Sequence, residues 1–310
     1  MRSNRLLALA ALAGLSAMAG FPQSDPFAQN RRLGRGINIP GVFDLGGATV
    51  PEPPMKPEYF RKIKDAGFTN VRLVIRWSSY SQQEPPFGID AGFLKKVDWA
   101  VDQSIAQGLA VVLDFHYYPL ISFTGTQTSN EDPRKNRARF LALWQQISEH
   151  YRSSPPEVMF GVLNEPSRPN LGADGWNSLI AETIPLIRRA NPNRTILIQT
   201  ANGGGFGSID DLRIPESERN AIVEVHYYDP GRFTHQQASW SSNRIRRAGG
   251  KLDGAVAQSV SAVRGRATQP DLTSSRRCIK NCISGESSGP PSQAAAGLRT
   301  ERSLRSTHSD

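Results

Sequence analysis

Cysteine is nearly absent from this 310-residue chain: two occur, Cys278 and Cys282, both near the end. A fold built on disulfides is therefore excluded, and a CxxxC bridge would close too small a loop to stabilise the main body much. Two thiols without a flanking histidine are too few to hold zinc, so they read as incidental. The five histidines show no HExxH-type spacing, and no constellation calls for a metal or another cofactor. The net charge is +9, yet no helix-turn-helix, zinc-finger or RRM pattern accompanies it. A basic surface and tail is the simpler reading, and no nucleic-acid partner is expected. Part of that charge lies at 264–310, where eight Lys/Arg face four Asp/Glu. Long hydrophobic runs are scarce too. The stretch Leu6–Ala19, behind Arg2 and Arg5, is too short and too Ala-rich for a comfortable membrane span. Ala17-Met18-Ala19 fits the small-x-small rule, so residues 1–19 are expected to be a secretory signal peptide, with an uncleaved anchor as the alternative. The expected product is a secreted or periplasmic monomer without membrane contact after cleavage.

What is present is an alternation. After a stretch read as a linker (20–32), RGINIP (35–40) is a short strand-like run. KPEYFRKIKDAG (56–67) places Tyr59, Phe60 and Ile63 at helical spacing between Pro57 and Gly67. NVRLVIRW (70–77) is β-branched and strand-like. The segment 89–108 repeats Phe93, Val97, Val101 and Ile105 every fourth residue and stops at Gly108. LAVVLDFHYY (109–118) is a strand, 133–151 a helix opened by Pro133, and EVMFGVLNEP (157–166) a strand. A helix over 175–191 is expected to kink at Pro185. RTILIQTAN (194–202) and NAIVEVHYY (220–228) are strands, and 252–265 is a weak helix.

Six near-continuous apolar strands alternating with helices point to an α/β fold with a buried parallel sheet. ANGGGFG (201–207) lacks phosphate-loop chemistry and reads as a turn. The expected fold is a (β/α)8 TIM barrel over 33–266, in which residues at strand C-termini build the active site. The polar residues fall there. Asn38 ends strand one, Arg76 and Trp77 strand two (with Arg72 inside it), and His116 strand three. Asn164 and Glu165 end strand four, Asn202 strand five, and His226 and Tyr228 strand six. After residue 266 the pattern collapses. Residues 267–310 are rich in Ser, Arg, Gly and Pro and read as a disordered tail, so about six of eight units are recognisable.

A carboxylate after strand four of a barrel suggests glycoside hydrolysis. That reaction uses one carboxylic acid to protonate the leaving oxygen and a second carboxylate across the bond, about 5–5.5 Å away in the retaining form. The acid must stay protonated near neutral pH, which burial or a negative neighbour achieves. Asn164 would offer its amide to a sugar hydroxyl, and Pro166 stops the strand.

Several motifs in order resemble glycoside hydrolase family 5, the cellulase family. VRLVIRW (71–77), VVLDFHYY (111–118), GVLNEP (161–166), VEVHYYDP (223–230) and FTHQQASW (233–240) carry the likeness over about 33–265. The resemblance implies a retaining endo-glycosidase that hydrolyses a β-linked glucan polysaccharide or oligosaccharide. It implies Glu165 as acid/base, Asn164 as a substrate contact, and Arg72 as the group orienting the nucleophile. His116 and His226 would line the subsite at the cleavage point, and Tyr228 would bond the nucleophile. Trp240, Trp176 and Tyr118 are candidates for stacking on sugar rings, with Asn38 and Asn202 as further substrate contacts. Each has a structural alternative: core packing for the aromatics, an ion pair for Arg72, a satisfied core position for the histidines.

The family pattern also implies a nucleophilic glutamate in a Gly-Glu-Phe-Gly setting at the end of strand seven, then an aromatic on strand eight. Neither is recognisable here. Glu286 follows Gly285 but has no strand before it, and Glu224, on the face of His226 and Tyr228, lies deeper and reads as structural. The abrupt loss of pattern suggests a changed reading frame or a decayed gene. It leaves open edges on strands one and six, and with them poor stability. Two alternatives to an active hydrolase follow: a carbohydrate-binding pseudoenzyme, or a non-functional product.

Overall fold

In a computed structural model, residues 25–118, 132–166, 171–229 and 234–235 are described. The chain opens with helix α1 (Pro26–Leu33), inside the stretch expected to be a linker. Pro26 sits in its first turn, and the Asp25 carboxylate caps it by accepting from the Phe27 and Ala28 N–H groups. Strand β1 (Gly36–Ile39), helix α2 (Glu58–Asp65) and strand β2 (Asn70–Ile75) follow. Next come α3 (Ala91–Ala106), β3 (Ala110–Phe115), α4 (Pro133–His150) and β4 (Val158–Gly161). Helix α5 (Gly172–Ala190), β5 (Ile196–Gln199) and β6 (Ala221–Glu224) complete the order.

Local chemistry explains the boundaries. Asp90 caps α3 by accepting from the Phe93 N–H at 2.6 Å, and the helix stops before Gly108, whose φ of +66° suits glycine. Asp132 caps α4 ahead of Pro133. Helix α5 runs through Pro185 as one element, and its Trp176, Leu179, Ile180, Ile184 and Ile187 are buried. The strands are shorter than their apolar runs suggest. Trp77 opens a 3-10 turn (Trp77–Tyr80), and no full helix separates β5 from β6. The expected helix at 252–265 lies outside the described residues.

All neighbouring strands pair in parallel, in the order β1-β2-β3-β4-β5-β6. In a flat sheet β2 and β6 would stand four strand spacings apart, about 19 Å. Yet Arg72 on β2 reaches Glu224 on β6 at 3.4 Å. The sheet therefore curls around an interior. Alternation divides its side chains between two faces. Val71, Leu73, Ile75, Val111, Leu113, Phe115, Phe160 and Ile198 point outward into the core shared with the helices. Fully burying each such side chain stabilises the fold by roughly 1.5–3 kcal/mol. The inner face is graded. Ala110, Val112, Met159, Leu197 and Ile222 form its apolar floor, joined by Leu33 at the end of α1. Nearer the strand C-termini the inward residues are Arg72, Asp114, Gln199 and Glu224, all buried.

Two devices pin the frame. Arg194 satisfies all its guanidinium donors internally, giving them to the carbonyls of Tyr151, Ser154, Pro155 and Val158 and to Asn191 Oδ1. Burial, and then the nearby Arg188, lower it to about 10. The buried indoles of Trp144 and Trp176 donate to the carbonyls of Val162 and Gln199, binding α4 to the end of β4 and α5 to the end of β5.

Candidate active site

Past β4 the chain stays tied to both neighbouring strands. Val162 N–H donates to Leu197 O, and Asn164 N–H to Phe115 O, both at 2.9 Å. Glu165 then turns through φ +48°, a conformation costly for a residue with a Cβ and concentrated at functional positions. Its N–H donates to Gln199 Oε1 at 2.6 Å, and its Oε1 accepts from His226 Nδ1 at 2.8 Å. The Glu165 side chain is 24% exposed, so the carboxylate stands at the mouth of the interior.

Behind it lies a buried charge network. Arg72 donates to Asp114 Oδ1 at 2.8 Å and Asn164 Oδ1 at 2.9 Å, and pairs with Glu224. Burial opposes its charge, but Asp114, Glu224 and Glu165 over-compensate and hold it above its ordinary value. Gly161 faces Asp114 across the ladder, where a Cβ would come within 2.9 Å of Asp114 Oδ1. The other Asp114 oxygen meets His116 Nδ1 at 2.8 Å, which makes that nitrogen the donor.

Glu224 is 1% exposed and accepts from Gln199 Nε2 at 2.9 Å. Burial favours its neutral acid, but Arg72, then His226 and Gln199, hold it well below the carboxylate range. Burial also opposes charge on His226. The Glu165 and Glu224 carboxylates, one at each ring edge, outweigh this and raise it to about 9. The His226 backbone N–H donates to Gly204 O at 2.8 Å, so the glycine turn read from the sequence serves as a brace for His226. Tyr228 packs edge-on against His226 and is 39% exposed; burial, and then Glu165, raise its phenol.

The structure thus gathers Arg72, His116, Asn164, Glu165, His226 and Tyr228 at one end of the interior, with Asn38 at its edge, 3.5 Å from Arg72. Three expectations need correction. Trp176 is fully buried and donates to Gln199 O, so it is a core residue. Tyr118 is 1% exposed, packs on Phe115 and Phe140, and donates to Asn136 O. Asn202 does not end strand five. It sits in a turn at φ +56°, its amide directed to Ser208 Oγ. Gln199 occupies the place assigned to it. Trp240 lies outside the described residues. Asp114 joins the site as well, and strand alternation from His116 is the sequence signal for it. Arg72 pairs with Asp114 and Glu224. No group of three or more His, Cys, Asp or Glu suited to a metal occurs among the described residues.

Fold and site together define a curled parallel α/β sheet with an acid–amide pair, Asn164–Glu165, at the mouth of the barrel interior. The chain belongs to glycosyl hydrolase family 5, the cellulase family, whose model matches residues 35–269. It is 28% identical over 219 residues to Endoglucanase H of Acetivibrio thermocellus, covering 70% of this chain and 23% of that protein. With Endoglucanase C of the same species it shares 29% identity, over 67% of this chain and 63% of that one. The chain thus spans less than two thirds of these relatives. Among solved structures it resembles endoglucanase Cel5A of Thermotoga maritima, with 40% identity and a TM-score of 0.64, over 71% of this chain and 68% of the other. Cel5A has been solved with cellobiose and with mannotriose. The described strands are accordingly six of the eight of a (β/α)8 barrel.

Proposed function

We propose that the chain is an endo-acting glycoside hydrolase of β-linked glucan, with Glu165 as proton donor. One observation carries this reading: an accessible carboxylate in a strained turn just past β4, at the mouth of the barrel interior. Glu165 would protonate the leaving glycosidic oxygen and later, as a base, take the proton of the attacking water; the covalent step between the two needs a second carboxylate to hold the anomeric carbon. Asn164, aligned by Arg72, would receive a sugar hydroxyl. The cellobiose and mannotriose complexes of Cel5A support a β-linked hexose chain as substrate. Neither Asp114 nor Glu224 serves as the attacking carboxylate in this reading, since Arg72 pairs with both and each is 1% exposed. Export fits the same role, and N-terminal sequencing of exported protein should begin near residue 20.

Those two ion pairs also favour a second reading, a chain that binds glucan without cleaving it. Reducing-end release from carboxymethyl cellulose decides between them. Wild type should release sugar, and Glu165→Gln should lower kcat by about 10²–10⁴-fold. Calorimetric binding of cellotetraose without release would establish the second reading, and neither signal would refute both.

A further inference from the structure

Among the described residues, Gln199 is the side chain that touches Glu165, Glu224 and His226 together. It is 1% exposed and lies on β5, between the strands that carry the others. Its Oε1 accepts the Glu165 N–H at 2.6 Å. Its Nε2 donates to Glu224 Oε1 at 2.9 Å and stands 3.0 Å from His226 Nε2 and 3.5 Å from Asn164 Oδ1. Its contacts to Glu165 and Glu224 favour this orientation of the amide. A flip would set oxygen against the Glu224 carboxylate and an NH2 group against the Glu165 N–H. Trp176 anchors the same residue from behind through its backbone carbonyl, and Gly204 lies so close that a Cβ there would reach Gln199 Oε1 at 2.9 Å.

We infer that Gln199 is a positioning residue for the chemistry at Glu165: it holds the Glu165 backbone in its left-handed turn and thereby keeps the carboxylate on His226. The inference rests on the proposed role of Glu165. Without the Oε1 acceptor, the Glu165 N–H is unpaired and the turn at φ +48° loses the hydrogen bond made at Glu165 itself. The carboxylate then swings from His226, which keeps Glu224 alone as its counter-charge.

The test uses the full chain with Gln199→Met, which removes the acceptor at similar length, and Gln199→Glu, which retains an acceptor for the Glu165 N–H. The first readout is the His226 imidazole titration by ¹H–¹⁵N NMR, assigned with His226→Gln. The second is kcat and KM on an aryl β-cellobioside. Gln199→Met should lower the His226 midpoint by about one unit through loss of a carboxylate contact. It should lower kcat by about 100-fold, the cost of a misplaced catalytic group, with KM nearly unchanged. Gln199→Glu should leave the midpoint at or above the wild-type value and recover part of kcat. A folded Gln199→Met protein with wild-type midpoint and kcat overturns the inference. So does an equal loss in both variants that tracks an equal drop in Tm. If Gln199→Met does not fold, a lowered midpoint in Gln199→Glu overturns it. The titration needs no turnover, so an inactive wild type would end the proposed function while still leaving Gln199 judged.

Discussion

At the scale of single residues, the site is organised around paired charges. Arg72 is 3% exposed and balances two carboxylates that have left water with it. Truncating one partner of a buried pair leaves the others uncompensated, and Arg72→Met is expected to destabilise the fold by about 3–5 kcal/mol. Urea unfolding followed by tryptophan fluorescence checks this, and a loss no larger than that of a surface arginine would contradict the network. Part of it was legible in the sequence. Glu165, Asn164, His116 and His226 are legible together because strand after strand finishes in a polar group, although each alone has a structural alternative. Trp176 and Tyr118 did not reveal their place. An aromatic ring suits a sugar face and a hydrophobic core equally, and composition does not say which neighbour it meets.

At the scale of elements, strand ends decide which residues reach the mouth of the interior. Strand β5 ends at Gln199 because the chain turns at Asn202 and Gly203, both at positive φ. The apolar run carries no such stop, so by sequence Asn202 reads as the strand terminus. The β3–β4 contact has a similar local requirement. Gly161 lies under Asp114, and Gly161→Ala would drive a methyl group to 2.9 Å from the carboxylate oxygen and 3.3 Å from the Asp114 Cα. Backbone on one side and a paired carboxylate on the other leave little room to yield. A cost of about 1–3 kcal/mol is expected, with activity falling as Asp114 shifts Arg72 and His116. Thermal unfolding and carboxymethyl cellulose assays on the same preparation read both, and a neutral substitution would show that the ladder relaxes more than the geometry allows.

For the whole molecule, the inner face couples stability to pH. His226 rises from 6.5 to about 9 on folding, so its contribution is complete below about 6.5 and lost as pH climbs through 9. Glu224 falls from 4.5 to about 2, so its contribution is complete above 4.5 and lost as pH drops toward 2. Both are present together between 4.5 and 6.5. Denaturant unfolding should show greatest stability there, with a decline of about 1–3 kcal/mol toward pH 9.5. His226→Gln should flatten that alkaline arm, and an unchanged arm would remove His226 as its cause.

The sequence alone determined the alternation of strands and helices, the parallel α/β class, and the placing of Glu165 on the C-terminal side of strand four. Hydrophobic period, prolines and glycines are local signals, and those features depend on little else. Tertiary structure alone decided that Arg72 meets Glu224 across four strand spacings, that Trp176 and Tyr118 turn into the core, and that Gln199 joins the site. Each depends on how far the sheet curls and which face of each helix packs against it, and such long-range contacts are not written in any one stretch of the chain.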